Sequence, residues 1–312
     1  MTPAIAVVGS LNMDFVVRVK ELPAPGQTVL GRDFIMTPGG KGANQACAAG
    51  RLGAGRVAVR MAGRVGYDLF ADHLRASLSA AGVDVSAVCG TKSQPTGVAL
   101  IWVDAAGQNS IVVAPGANLE LRASEVESLR SAIKGARFAL FQLETPLETV
   151  RAAMALARDE GAQTILDPAP AQPLSHESLE LAAILTPNET EALMLLGLPR
   201  ARVRLGDAPA LARSLRGMGA HAVILKLGDQ GCLYDDGKRQ IHIPAFQVEV
   251  RDSTAAGDIF NAGLAVALAE GAGIQEALQF ASASAAISVT RAGAQASIPT
   301  RAEVDYFLAG RA

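Results

Sequence analysis

The run Ala4–Val8 is uniformly apolar and stops at Gly9-Ser10, the pattern of a strand buried on both faces in a parallel sheet and followed by its loop. Far downstream, Ile241, Ile243, Val248 and Val250 fall among polar residues at roughly period-two spacing, whereas Phe260, Leu264 and Leu268 recur every fourth residue. The first spacing predicts a strand and the second one face of a helix, so the chain is expected to turn at Ala255-Ala256-Gly257. Between these points the periods alternate. Strands are predicted over 57–62, 138–143, 164–166, 184–186 and 222–227, and helices over 68–81, near 124–134, and over 146–160, 189–196 and 208–218. Helices over 274–289 and 301–308, on either side of a loop holding Gly293, close the chain. Such alternation implies an α/β fold, with a parallel sheet covered on both faces and ligands beyond the carboxyl ends of its strands. Two stretches break the rhythm. Residues 15–36 carry Pro23, Pro25 and Gly26 before a strand-like run at 28–35, and 96–114 reads as paired strands, 96–103 and 110–114, about a turn at 104–107. Together these excursions are expected to form a lid.

Polar residues collect where the predicted strands end. Glu144 follows Leu143, Asp167 follows Leu166, Asn188 follows Thr186-Pro187, and Gly228 to Gly231 follow Leu227. Each has a structural alternative; Asn188 and Glu191, for example, have the spacing of a capping box. Asn12 and Asp14 follow the first strand two residues apart, so in an extended segment they would share a side and grip neighbouring hydroxyls of a polyol, although an Asx turn uses the same residues. The loop Thr37-Pro-Gly-Gly-Lys41-Gly42-Ala-Asn44 leads into a helix of very small side chains, where a ligand can approach the backbone closely. Packing on the sheet explains Ala46, Ala48 and Ala49 there, but not Lys41 or Asn44. This is not a P-loop, because Lys41 is followed by Gly42, and no GxGxxG fingerprint occurs, which disfavours an oxidoreductase. At the 255–257 turn, unpartnered N–H groups and the helix dipole make an anion site with Asp258 at its mouth. A carboxylate there repels phosphate. It makes more sense as the acceptor of a proton from a hydroxyl attacking a phosphoryl group, set against the plainer possibility that an acidic residue simply favours a helix start.

Composition narrows the partners. The chain has 312 residues, half of them apolar, and a net charge of −2 with Lys and Arg scattered, so it can bury a full core and offers no basic stripe for nucleic acid or an anionic membrane. No charged leader precedes a long apolar segment, and runs such as 262–269 are too short to span a bilayer; a cytoplasmic location is expected. Cys47, Cys89 and Cys232 are odd in number and widely spaced, which argues for buried free thiols rather than disulfides or zinc.

Taken together and in order, Gly9-Ser-x-Asn-x-Asp14, Gly39-Gly-Lys-Gly-Ala-Asn-Gln45, Gln142-Leu-Glu144, Thr186-Pro-Asn-Glu-Thr-Glu191 and Ala255-Ala-Gly-Asp258-x-Phe-Asn261 resemble the PfkB carbohydrate kinases, nearly end to end. The resemblance implies one domain over 1–312, a three-layer α/β/α fold with a central, mostly parallel sheet, and a small β-sheet lid that also forms a homodimer interface. It implies ATP-dependent phosphorylation of ribose at the 5-hydroxyl, with deoxyribose, another sugar or a nucleoside as the alternative acceptor. By position, Asn12, Asp14, Gly40, Lys41, Gly42, Asn44 and Glu144 would bind the sugar and Asp258 would be the base. Ala255, Ala256 and Gly257 would present the anion hole. Asn188 and Glu191 would serve the phosphate and magnesium (Mg2+) end of ATP, Glu191 through water, and Lys226, Gly228, Gly231 and Ser282 the rest of the nucleotide. An activating monovalent cation, potassium (K+), would lie near Asp252, Thr254, Ser288, Arg291, Gly293 and Ser297, held mostly by backbone carbonyls. Three positions depart from the family pattern: Asp167 stands where Asn is usual, Lys226 where Thr is common, and Ser282 where Asn or His often faces the nucleotide. A sugar-sensing protein without turnover is the alternative of another class, and the intact Gly257 and Asp258 argue against it.

An exposed helix dipole contributes only about 0.3–1 kcal/mol, whereas a preorganised donor in a dry site contributes about 2.7–4 kcal/mol to a transition state. The anion hole is therefore expected to be sheltered, with lid closure excluding water as a rival phosphoryl acceptor.

Overall fold

The computed structural model describes residues 2–105 and 107–310; Met1, Arg311 and Ala312 at the ends of the 1–312 span, and Ala106 in the predicted 104–107 turn, lie outside them. The chain starts in the middle of its main sheet with β1 (Ala4–Val8), leaves it for β2 (Asn12–Arg18) and β3 (Arg32–Gly39), and returns through helix α1 (Lys41–Gly53) to β4 (Ala58–Val65). Helix α2 (Leu69–Ala80) leads to β5 (Val83–Gly90), after which β6 (Gly97–Val103) and β7 (Asn109–Ala114) make the second departure. Two 3-10 segments, Gly116–Glu120 and Ala123–Leu129, and the short α3 (Arg130–Ile133) then precede β8 (Phe138–Phe141), α4 (Leu147–Asp159), β9 (Gln163–Leu166), α5 (His176–Glu180), β10 (Ile184–Leu185), α6 (Glu189–Leu195), α7 (Ala208–Gly217) and β11 (Ala222–Lys226). The strands β12 (Cys232–Asp235) and β13 (Gln240–Ile243) and the helices α8 (Ala256–Glu270), α9 (Ile274–Ser288) and α10 (Arg301–Ala309) complete it.

The main sheet has nine strands in the order β13-β12-β11-β10-β9-β8-β1-β4-β5. Every pairing from β11 to β5 through β1 is parallel, and β12 and β13 add an antiparallel edge. Because β1 pairs with both β4 and β8, the direction of winding reverses beside it, and the ends of β1 and β8 flank a crevice of the kind that holds ligands in open α/β sheets. Successive residues of this central strand face opposite layers: Ile5 and Val7 join the core under α1, α8 and α9, while Ala6 and Val8 join the one under α4 and α7. Three layers with two apolar interfaces result. The small sheet has the order β3-β2-β6-β7, and the two excursions join through a parallel β2–β6 pairing, although each is antiparallel within itself.

Cys47 and Cys232 are buried as expected, but Cys89, near the end of the edge strand β5, is exposed. Some elements also differ from expectation. Asn12 and Asp14 lie in a strand rather than a loop, paired with Gly39 and Thr37. This pairing sets the register of β3 and carries it to Gly39, beyond the run expected at 28–35. The strand expected to reach Val250 stops at Ile243, where Pro244 lacks the N–H the ladder needs. Residues 124–134 are mostly 3-10 helix. Helix α8 buries nearly its whole circumference rather than one face, since α1 and α9 pack on it from different sides. Among the described residues no helix is long and apolar enough to cross a membrane.

Candidate active site

Two helices begin at the crevice. The first, α1, starts after Gly40, whose φ of 88° is open to glycine alone at little cost, and a Cβ there would lie 2.7 Å from the Asn12 nitrogen. Glycine is thus what lets the loop close on the start of β2. The Lys41 N–H donates to Glu144 Oε2 at 3.0 Å, Ser10 Oγ donates to the same oxygen at 2.5 Å, and the Gly42 N–H reaches Ser10 Oγ at 3.3 Å. A carboxylate is in this way fixed on the positive end of α1. On β2, Asn12 and Asp14 are both buried, and Asn12 Oδ1 accepts from Asn118 Nδ2 at 2.8 Å. Asn118 also exchanges hydrogen bonds with both backbone groups of Leu11 and so pins the strand's entrance.

Helix α8 begins after Ala255, a non-glycine residue in the left-handed region with φ 60°. The Ala256 N–H donates to Ser253 O at 3.2 Å, and Ala255, Ala256 and Gly257 line the cavity at the start of α8. Asp258 sits in the first turn, 5% exposed. Its Oδ2 accepts from Asn44 Nδ2 at 3.1 Å and its Oδ1 from Gln45 Nε2 at 3.0 Å. The Gln45 amide also donates to Asp167 Oδ2 at 3.1 Å and accepts through Oε1 from Gln142 Nε2 at 2.7 Å. Asp167 in turn accepts from Lys226 Nζ at 3.1 Å.

Electrostatics follow from burial and crowding. Burial pushes Asp258 up to about 6; the Lys41 charge and the Gln45 and Asn44 amides oppose the rise, while Asp167 adds to it. Asp14 is pushed up to about 7, by burial first and then by the Glu144 and Asp258 charges. For Lys41 burial disfavours the ammonium, but Asp258, Asp167, Glu144 and Glu191 together raise its pKa above the ordinary value, so it stays charged. Glu191 is also raised, chiefly by burial.

A cavity of about 750 Å³ opens beside this cluster. Of the expected nucleotide residues, Asn188, Glu191, Lys226, Gly228, Gly231 and Ser282 line it, together with Ala255, Ala256, Gly257, Asp258 and Lys41. Its apolar wall comes from Ala285 and Ala286 of α9, from Val289 just beyond it, and from Val248 and Val250, in the segment that sequence periodicity assigned to a strand. Asn188 and Glu191 do form the capping box: Glu191 N donates to Asn188 Oδ1 at 2.9 Å, and the Glu191 carboxylate accepts from Asn188 N and Nδ2, each at 2.8 Å. The structural alternative therefore holds, and the box also holds both side chains at the cavity rim. Asn12, Asp14, Gly40, Gly42, Asn44 and Glu144 are not among the residues lining this cavity; Asn12 and Asp14 stand on β2, Asn44 bonds Asp258, and Glu144 bonds the start of α1.

The proposed cation residues converge in part. Asp252 Oδ1 accepts from Thr254 N at 2.9 Å and Oγ1 at 2.6 Å, and its Oδ2 accepts from Gly293 N at 2.8 Å, so one carboxylate ties the two loops together. Although burial opposes it, the hydrogen bonds from Gly293 and Thr254 hold Asp252 below the usual carboxylate range. Ser288 and Ser297 instead turn their hydroxyls onto carbonyls of their own segments, and Arg291 pairs with Glu303.

Gln45, Gln142, Ser10 and Asn118 were not assigned roles from sequence. Gln45 had a legible signal, since 41, 44 and 45 share one helical face; Asn118 had none.

Three comparisons bear on this geometry. Residues 2–301 match the model of the pfkB family carbohydrate kinases. Ribokinase of Haemophilus influenzae is 41% identical over 309 residues, covering 99% of each chain. The solved structure of Thermotoga maritima ribokinase superposes with a TM-score of 0.88 at 37% identity, over 98% of this chain and 99% of that one. Arabidopsis thaliana ribokinase, solved with ribose and ATP, superposes with a TM-score of 0.88 at 31% identity over 99% of both chains. With the glycine loop, the buried carboxylate at the mouth of α8 and the crevice between them in place, the chain belongs to the pfkB family of carbohydrate kinases.

Proposed function

We propose that the chain transfers the γ-phosphoryl group of ATP to the 5-hydroxyl of D-ribose, giving ribose 5-phosphate and ADP. The observation that carries this is the position of Asp258, a sheltered carboxylate at a helix N-terminus that lines a nucleotide-sized cavity and is bonded to Asn44, beside the polar group of Asp14, Lys41 and Glu144. The 5-oxygen forms the new bond to phosphorus as the bond to the β–γ bridging oxygen breaks. The hydroxyl proton passes to Asp258, and the electron pair of the broken bond leaves on ADP. Asn44 and Gln45 fix both oxygens of the base, so its basic lone pair is aimed rather than free to rotate.

On the sugar side, Asn12, Asp14, Lys41, Asn44 and Glu144 supply donors and acceptors for the ring hydroxyls, and Gly40 and Gly42 allow the backbone close. On the other side, the aliphatic wall of α9 suits a flat heterocycle, while Lys226, Gly228, Gly231 and Ser282 follow the nucleotide toward the Ala255–Gly257 anion hole. Asn188 and Glu191 offer hard oxygen ligands at the rim, the donor type that suits a hydrated magnesium ion. Magnesium bound with the nucleotide would neutralise its phosphates; among the described residues no three His, Cys, Asp or Glu side chains converge as a metal cage, so most of its ligands would come from phosphate and water. The Asp252 carboxylate and neighbouring carbonyls likewise suit potassium, which would brace the loop that places Ala255. The small sheet acts as the lid. Its exposed Ile35, Ile111 and Val113 share one side of the sheet and form an apolar face that a second copy of the chain would cover.

Ribose-dependent ADP release, compared with 2-deoxyribose, fructose and a ribonucleoside and run with and without potassium, tests the reading. The highest kcat/KM is expected with ribose; a higher value with another acceptor would replace ribose as the substrate.

A further inference from the structure

Asp167 and Lys226, two of the departures from the family pattern, are partners. They lie at the ends of β9 and β11, and the Lys226 ammonium is 3.1 Å from Asp167 Oδ1, with the side chains 14% and 3% exposed. A buried ion pair is weak support for stability, because desolvation offsets most of its attraction, so its retention calls for another reason. The ammonium's other neighbour supplies one. A Cβ added to Gly257 would stand 3.2 Å from Lys226 Nζ, so the cation lies against the backbone of the anion hole and also lines the nucleotide cavity.

We propose that Lys226 is a catalytic residue that gives its ammonium to the oxygens of the γ-phosphoryl group in flight, and that Asp167 is the positioning residue that holds it there. The inference rests on the kinase reading above. As the 5-oxygen–phosphorus bond forms and the bond to the bridging oxygen breaks, the equatorial oxygens stay negative, and a fixed cation in a dry site stabilises them without rearrangement. Asp167 carries a second consequence. The Gln45 amide bridges it to Asp258, so the Lys226 charge also shields the base from a buried carboxylate. The other charged groups facing Asp258 are Lys41 on α1 and Asp14 on β2.

The test uses the full chain with ribose and magnesium-ATP, and the variants Lys226→Met, Asp167→Asn and the double variant. Lys226→Met is expected to lower kcat about tenfold or more, with KM for ATP changing much less, because the contact strengthens in the transition state. It is also expected to move the acidic limb of kcat/KM to higher pH, since Asp167 then faces Asp258 unshielded. Asp167→Asn is expected to move that limb to lower pH. The double variant removes charge as a pair and so keeps the fold even if Lys226→Met does not; it is expected to restore the limb but not the rate. A double variant with kcat less than about tenfold below the parent would overturn the role of Lys226, and an unmoved limb in Asp167→Asn would overturn that of Asp167. Failure of the kinase reading shows differently: the parent protein itself would then give no ribose-dependent ADP.

Discussion

Asp258 is almost out of reach of water, yet it must be ionised before it can take a proton. Burial sets its pKa near 6, which suits a general base: the carboxylate is free at neutral pH but basic enough to share a proton in the transition state. The acidic limb of kcat/KM is accordingly expected to lie near pH 6, with activity rising as pH rises through it. Asp14 bears a cost of the same kind. Its pKa is raised to about 7, so its contribution to stability is full below the ordinary carboxylate value of 3.8 and is lost as pH rises through about 7. Asp14→Asn is expected to stabilise the ligand-free protein at pH 8, by at most about 4 kcal/mol, and to abolish tight ribose binding; thermal melts and titration calorimetry check both. An unchanged melting point at pH 8 would contradict the burial argument. Asp258, Asp14 and Lys41 were legible in sequence because each is a polar residue where a strand or helix terminus is expected. The Asp167–Lys226 pair was not, since 59 residues separate the two and no period connects them.

At the scale of elements, the site depends on how α1 and α8 start. Ala255 holds a left-handed conformation that costs a residue with a Cβ roughly 1 kcal/mol. Ala255→Gly is expected to stabilise the protein by up to about 1 kcal/mol, and Ala255→Val to destabilise it; denaturant midpoints measure the difference. Asn188→Ala opens the capping box and is expected to cost about 1 kcal/mol while weakening magnesium-ATP binding. Helix starts were readable from glycine, small residues and capping patterns, whereas strand ends were not. The register of β3 depends on its partner β2, and the coil after β13 depends on Pro244, which overrides the alternation of Val248 and Val250.

For the whole molecule, the parallel sheet gathers residues from distant parts of the chain at the ends of its strands, and the small sheet brings Asp14 of β2 within reach of the Glu144 and Asp258 charges. Its strands place Asn12 and Asp14, the proposed sugar contacts, on the same face as the exposed Ile35, Ile111 and Val113. On the proposed pairing of two small sheets, Ile111→Glu is expected to sediment as a monomer where the parent sediments as a dimer, and to raise KM for ribose, because a lid without its partner closes less firmly. Exchange of potassium for a large organic cation is expected to lower kcat, with the effect blunted in Asp252→Asn. The layered fold was legible because alternating periods dictate it. How the two excursions join was not, since a parallel β2–β6 contact leaves no mark in either segment.

The most direct measurement is single-turnover phosphorylation of ribose by the Asp258→Asn variant, alongside calorimetric binding of ribose and of ATP. A loss of about 10²–10⁴-fold in the chemical step, with both ligands still bound, is the expected result; turnover close to that of the parent would show that the carboxylate at the mouth of α8 is not the base.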